Sequence, residues 1–334
     1  MNEPSAAAGA FGGRRSSGPI PFLRRLTGPA LAAVAIASAV WAQNAVQAPP
    51  PAADLKAALD KADAGDPADL ARLADQGRAD AQYYAGVMYI FGRGKVAADG
   101  PRGCAYEEKA STSQAEAMHL VGLCYLNGWG GVKDAAKAKG AFARAADMGS
   151  VGAKCGLGQV LMSEPGQAER GLQLCKEAAM AGDADAQLAV GDAYFQGAPV
   201  KTDHAEARKW YQLAASQKNP RAARQLGEMY AAGDGGPKDT RTALELWMTA
   251  EAGGDPLVSI LVADQLFTDM TGRTPGPGQY AFRGGLPVSD IEVIELWYKE
   301  ALQRDPRPDV KKRAEFAVTV LEGFKSAAKT VPTR

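Results

Sequence analysis

The sequence predicts an all-α chain: a solenoid of about six helix–turn–helix repeats with capping helices at both ends. Three observations predict it. A glycine recurs inside helix-forming runs at Gly86, Gly122, Gly158, Gly191 and Gly227, with Ala263 in the sixth place, in steps of 36, 36, 33, 36 and 36 residues. Three residues beyond each stand Tyr89, Tyr125, Leu161, Tyr194, Tyr230 and Leu266. Gly-rich turns then separate each such run from a second helical run. A fixed period of this size is the mark of stacked supersecondary units. Glycine inside a helix costs about 1 kcal/mol relative to alanine, so a recurring one needs a reason. Close approach of another helix backbone is the simplest.

In chain order, residues 1–48 form the first element, an export signal or N-terminal anchor with its linker. Arg14-Arg15 and Arg24-Arg25 precede an apolar run of 14 residues, Pro29 to Ala42. That run is short of the roughly 20 residues a membrane-spanning helix needs. Small residues close it, at Val40-Trp41-Ala42 and Val46-Gln47-Ala48, as at a cleavage site. The arginine pairs resemble a twin-arginine signal. Cleavage gives a periplasmic or secreted protein; retention gives an inner-membrane anchor facing the periplasm, with membrane contact through this segment alone. Ala48 to Ala52 is a short stiff Pro-rich linker.

Residues 53–78 carry helical signals without the full repeat, and Leu70, Leu73 and Ala74 are spaced like the end of a second helix. They read as N-terminal capping helices of the solenoid, which spans 79–303. The clearest repeat is Ala184 to Lys218. AQLAVGDAY is its first helix, Gln196-Gly197 ends it, and Asp203 is placed to cap the second, with Glu206 three residues on. Trp210, Tyr211, Ala214 and Ala215 then face a neighbour on one helical stripe. The turns at Gly92-Arg93-Gly94, Gly128 to Gly131 and Gly233 to Pro237 read as helix C-caps. A phosphate cradle would need a following Lys-Ser/Thr and a preceding strand, and has neither.

The residues Ala186, Gly191, Tyr194, Gly197, Asp203, Trp210, Ala214 and Ala215 together resemble the Sel-one-like repeat family, a relative of the tetratricopeptide repeats. The resemblance covers roughly Ala68 to Gln303. It implies a right-handed α/α superhelix whose members act as adaptors, holding partners on the concave face. The third repeat departs most, with Leu161 for the aromatic and a shortened turn at Ser163-Glu164-Pro165. Some Cys-rich relatives are linked to β-lactam binding.

The last repeat is interrupted. Gly191 to Trp210 is 19 residues and Gly227 to Trp247 is 20, but Ala263 to Trp297 is 34. The added stretch, within 271–288, is rich in Pro and Gly and carries Tyr280, Phe282 and Arg283, residue types favoured at binding hot spots. It is either a partner-contact loop or a passive surface insertion. Ser289 caps the helix that follows. Residues 307–334 form a C-terminal capping helix and tail, with Val310, Ala314, Ala317, Leu321, Phe324 and Ala328 on one stripe.

Four cysteines lie in the repeats. Antiparallel helices pair residues whose numbers sum to a constant. The helix boundary near Thr112–Ala115 sets that constant at about 227, and Cys104 with Cys124 gives 228. Helix ends near Ser150 and Ala181 set about 331, and Cys155 with Cys175 gives 330. These are the expected disulfides, the first between adjacent repeats and the second within one; four buried thiols are the alternative. The resemblance supports the pairing, since Cys-rich members join the two helices of a repeat.

Little in the sequence points to chemistry. The net charge is zero, and loss of the first 42 residues leaves 34 basic and 37 acidic side chains, net −3, with no basic run for nucleic acid. No Cys/His spacing suits zinc, and no catalytic motif or cofactor fingerprint stands in a credible context. His119 and His204 read as structural or solvent-facing. The pair Glu107-Glu108 reads as a solvated helix face. The function expected is a non-enzymatic scaffold in the bacterial envelope that binds a protein partner, without metal or cofactor. The alternatives are an envelope regulator that sequesters a membrane signalling protein, and a cell-wall glycan or β-lactam-binding protein.

Overall fold

A computed structural model describes residues 52–93, 95–272, 274–276, 288–305 and 307–330. The described residues form fifteen helices, with no strand beyond one isolated bridge at Arg93 and Val96. Two compact units divide the chain, with described residues 52–258 in one and 259–330 in the other.

The first unit opens with α1 (Ala53–Asp63) and α2 (Ala68–Asp75). Five helix pairs follow: α3 (Ala79–Phe91) with α4 (Gly100–Ala110), α5 (Ala115–Asn127) with α6 (Ala135–Asp147), α7 (Val151–Met162) with α8 (Ala168–Met180), α9 (Ala184–Gln196) with α10 (His204–Ser216), and α11 (Pro220–Ala232) with α12 (Thr240–Ala252). Each helix packs on its neighbours in sequence, and the first helices α5, α7 and α9 also touch in succession. This is the contact pattern of a solenoid.

The turns explain why the pairs form. Asp99, Asp134, Asp203 and Asp239 each cap a second helix, accepting from backbone N–H groups of its first turn at 2.9–3.1 Å. The same aspartates donate their own N–H to the carbonyls of Tyr89, Tyr125, Tyr194 and Tyr230, at 2.6–2.9 Å. Cap and turn are thus closed by one residue. Gly128, Gly197 and Gly233 end their first helices in the left-handed region, at φ 76°, 74° and 88°, where an L side chain is strained. Glu206, expected to complete a capping box, gives its carboxylate to Lys209 at 2.8 Å.

Counting from each helix start shows what the recurring glycine is for. Position eight of every first helix is that glycine, and position eight of the partner helix lies on it: Glu107 on Gly86, Phe142 on Gly122, Cys175 on Gly158, Tyr211 on Gly191 and Trp247 on Gly227. A Cβ on Gly122, Gly191 or Gly227 would come within 2.5–2.6 Å of the opposing ring. In these three repeats the glycine makes room first for an aromatic ring; at Gly227 the Ala243 carbonyl comes next, 3.2 Å from the added Cβ. The expected backbone-to-backbone approach occurs where the second helix carries glycine at position four. A Cβ added to Gly171 would overlap the Gly158 carbonyl, and one added to Gly103 would stand 2.8 Å from the Gly86 carbonyl.

Two expectations are corrected here. Of Trp210 and Tyr211, both expected on the buried stripe, only Tyr211 is fully buried, at 1% exposed, while Trp210 is half-buried. One residue is 100° around a helix, so the tryptophan falls off the buried stripe. Glu107 is not on a solvated face. It is fully buried in the ring position, while its neighbour Glu108 is exposed.

The second unit contains α13 (Val258–Thr271), α14 (Val288–Arg304) and α15 (Pro308–Thr330). Val310, Ala314, Ala317, Leu321 and Phe324 form its buried stripe, and α15 packs on α14. Tyr298 is fully buried and donates its hydroxyl to Asp264, beside Ala263, at 2.9 Å. Tyr211 does the same to Asp192, beside Gly191, at 2.7 Å. The register residue of the last repeat is therefore Tyr298 rather than Trp297. Ser289 lies inside α14, whose described residues begin at Val288, a shift within the ordinary spread of helix boundaries.

Candidate interaction surface

The surface with the most chemistry lies along the first helices of the first unit. One residue beyond the register glycine, Leu123, Gln159, Asp192 and Glu228 are half-buried or exposed. On α9, burial pushes the Asp192 carboxyl above its usual range, against the pull of the Tyr211 hydroxyl and of Arg221 and Arg224 on α11. Arg224 donates from Nε to Asp255 at 2.8 Å and from Nη1 to Glu228 at 2.9 Å. Burial alone would lower Arg224, but these two carboxylates outweigh it and hold the guanidinium charged. Trp247 also donates its indole N–H to the Arg224 carbonyl at 3.2 Å. Aromatic register and polar row are therefore linked.

A second polar group joins the starts of α5, α7 and α9. His119 Nδ1 lies 3.6 Å from Glu116. Gly152, on α7, leaves the space between: a Cβ there would stand 2.9 Å from His119 Cε1 and 3.1 Å from Asp183 Oδ2. Burial raises Asp183. Burial would raise Glu116 too, but His119 and Ser150 pull it below its usual value.

The turn edge has its own repeated device. Each register tyrosine lies under a cation. Arg102 is 4.0 Å from the Tyr89 ring centre, Lys137 5.2 Å from Tyr125, Lys176 5.0 Å from Tyr194 and Arg208 3.8 Å from Tyr230. Such contacts are worth about 0.5–1 kcal/mol at exposed sites. Arg208 also reaches the following turn, donating to the carbonyls of Met229 and Pro237 at 3.4 Å. His204 stacks on Phe195 with ring centres 4.9 Å apart and stands 3.8 Å from Asp234. Both histidines thus sit in packed polar settings.

The structure joins Cys104 of α4 to Cys124 of α5, and Cys155 of α7 to Cys175 of α8, and leaves no cysteine free. The first bond ties adjacent repeats and packs with Ile90, Phe91 and Trp129. The second lies within one repeat, where Cys175 is fully buried. Each closes a span of 20 residues, and the chain-entropy model gives such a loop about 3 kcal/mol of stabilisation. Oxidised protein is expected to show no reactive thiol, and full reduction should lower the urea midpoint markedly. Titration of free thiols before and after unfolding checks this; thiols accessible in the native oxidised protein would contradict the pairing.

Tyr280, Phe282 and Arg283 lie outside the described residues, as does the 1–48 segment. Among the described residues, no group of three or more His, Cys, Asp or Glu side chains is placed to hold a metal ion, and no helix is long and apolar enough to cross a membrane. The polar row at Asp192, Arg224 and Glu228 and the cation over each tyrosine are absent from the sequence reading. The signal for the row was available: each member sits three residues before or one after a register glycine.

Comparison with known proteins agrees with this architecture. The Sel1 repeat family model matches residues 79–113, 115–150, 184–219 and 220–255. The unmatched stretch between them, 151–183, is the repeat with the internal disulfide and the facing glycines. The crystal structure of a Sel1 repeat protein from Oxalobacter formigenes is similar, with a TM-score of 0.50 and 23% identity, over 76% of this chain and 99% of that one. A protective antigen of uropathogenic Escherichia coli with an SLR fold aligns at a TM-score of 0.43 and 22% identity, over 78% of this chain and 64% of its own. An uncharacterized protein of Neisseria meningitidis serogroup B is 29% identical over 199 residues, 59% of this chain. The match spans only 40% of that relative's length.

Proposed function

From a chain that carries four Sel1 repeats in a helical solenoid, we propose a non-enzymatic scaffold of the bacterial envelope that holds a protein partner along its first helices. Sel1 repeat folds typically serve as protein–protein interaction scaffolds, and stacked repeats suit recognition of extended surfaces. The observation that carries the proposal is the row Gln159, Asp192, Arg221, Arg224 and Glu228. These side chains are partly buried or exposed on successive first helices, and Asp192 and Arg224 are fixed by the buried Tyr211 and Asp255. Pre-set polar groups lose little freedom on binding, so a partner gains the contact at low entropic cost.

The envelope assignment rests on two features. The arginine-flanked apolar run of residues 14–42 fits export. Four cysteines spent on two disulfides fit an oxidising compartment. The 271–288 stretch with Tyr280, Phe282 and Arg283 is a second contact region in this reading.

Crosslinking in the native cell envelope tests it, with tagged full-length protein beside an Arg221→Glu variant and a deletion of residues 271–288. One dominant protein partner is expected, lost or weakened at least tenfold in Arg221→Glu. Loss in the deletion alone would move the contact to Tyr280, Phe282 and Arg283. Absence of any protein partner, with retention on cell-wall material, would reject the scaffold reading.

A further inference from the structure

Glu107 is the anomaly of the molecule. Position eight of the other second helices carries Phe142, Cys175, Tyr211 and Trp247, all apolar or amphipathic groups that fill the space over a glycine. In the first repeat the same place holds a carboxyl. Its residue is fully buried. Neither carboxyl oxygen is in a well-formed hydrogen bond, the Val87 N–H being the one donor that acts on the group, and an added Cβ on Gly86 would overlap Glu107 Oε1. An ionised carboxylate cannot be kept in such a place without large cost, whereas a protonated one can.

We propose that Glu107 is a proton-operated latch: with its carboxyl protonated α3 closes on α4, and with the proton lost the two helices part. The neighbouring charges leave Glu107 alone. On α4, Arg102 lies over Tyr89 of α3, Lys109 lies over Tyr106, and Glu108 accepts from Tyr125 of α5. Tyr106 donates to Asp75 of α2. Glu116 and His119 of α5 pair with each other. Among the described residues, no Lys, Arg or His is near enough to Glu107 to draw on its carboxyl. Burial raises the carboxyl well above the ordinary glutamate value, and the backbone N–H of Val87 is the group that draws it the other way.

The sign follows from linkage. The folded-state value is raised, so the contribution is fully present below the ordinary glutamate range. It is lost as pH rises towards the folded-state value, at tenfold per pH unit for one proton. Cys104 lies one turn before Glu107 and is bonded to Cys124. Opening therefore frees α3 while α4 stays tied to α5. The latch acts on the end of the solenoid that carries α1 and α2 and leaves the later repeats closed.

Native-state hydrogen exchange on the oxidised full-length protein between pH 5 and 9 tests the latch, with rates divided by their intrinsic values. Protection of α3 amides is expected to fall about tenfold per pH unit over part of that range. Protection in α9 and α10 should stay level. Glu107→Gln should make the α3 profile flat, and Glu107→Met should do the same. A flat α3 profile in the unaltered protein, an equal fall in Glu107→Gln, or a parallel fall in α9 and α10 would overturn the proposal. A second reading needs no variant: the Glu107 carboxyl carbon resonance should keep its protonated position above the ordinary glutamate range, and an ionised position there would also overturn it.

Discussion

Phe142→Ala is expected to cost about 3–5 kcal/mol of unfolding free energy, the range for a buried phenylalanine replaced by alanine. The ring is fully buried and lies between two glycines on different helices. A Cβ on Gly122 of α5 would come 2.5 Å from it, and one on Gly156 of α7 2.6 Å. The ring thus fills the joint between the second repeat and the third as well as the joint within the second. Glycines on both sides have no side chains to move into the space that truncation leaves, so relaxation is small and the cost stays at the upper part of the range. Stability in a solenoid is a sum of repeat terms and nearest-neighbour terms, and this change removes part of both. Urea unfolding of oxidised protein should show the loss, together with a broadened or split transition as α1–α6 uncouple from later repeats. A loss below about 1 kcal/mol, with one sharp transition, would mean that the ring is not the joint.

Much of the fold could be read from the sequence because its cues are local and repeated. Gly86, Gly122, Gly158, Gly191 and Gly227 share a register that the structure places at the same helical position five times. Asp203 caps where its spacing from Gly197 places it. The cysteine pairs follow from antiparallel register alone, since two helices joined by a short turn fix which residues lie opposite. The errors share one physical origin. The spacing puts Trp210 and Tyr211 on one stripe, yet only Tyr211 is fully buried there, and in the last repeat Tyr298 holds the corresponding place beside a buried Trp297. A one-residue offset turns a side chain by 100°, and between Trp210 and Tyr211 it decides between edge and core. Glu107 and Glu108 look like a solvated pair because charge alone does not tell the buried position from the exposed one. Eight residues from the cap Asp99 is the ring position, and counting from the cap would have found it. The interaction row was harder to see. Asp192 and Arg224 matter through their partners Tyr211 and Asp255, and those partnerships depend on which repeats touch.

Gly158→Ala is expected to destabilise, whereas Gly140→Ala is expected to stabilise. Both changes add a methyl group to a helix interior, and propensity alone favours each by about 1 kcal/mol. Around Gly140 an added Cβ meets nothing within 4 Å. At Gly158 it would overlap the Gly171 carbonyl of α8 and stand 3.0 Å from Cys175 Sγ. A ring can tilt away from an intruding methyl; a helix backbone can yield only by shifting the whole helix. Here the Cys155–Cys175 bond holds α7 to α8 at the same level and resists that shift. Overpacking of this kind costs about 1–3 kcal/mol, enough to reverse the propensity gain. The Gly158→Ala penalty should therefore shrink in reduced protein, where α8 can move outward, and the Gly140→Ala gain should not change. Equal gains from the two substitutions in oxidised protein would show that α7 and α8 do not depend on this backbone contact. The opposite signs would establish that the register glycine of this repeat is there to admit a helix backbone.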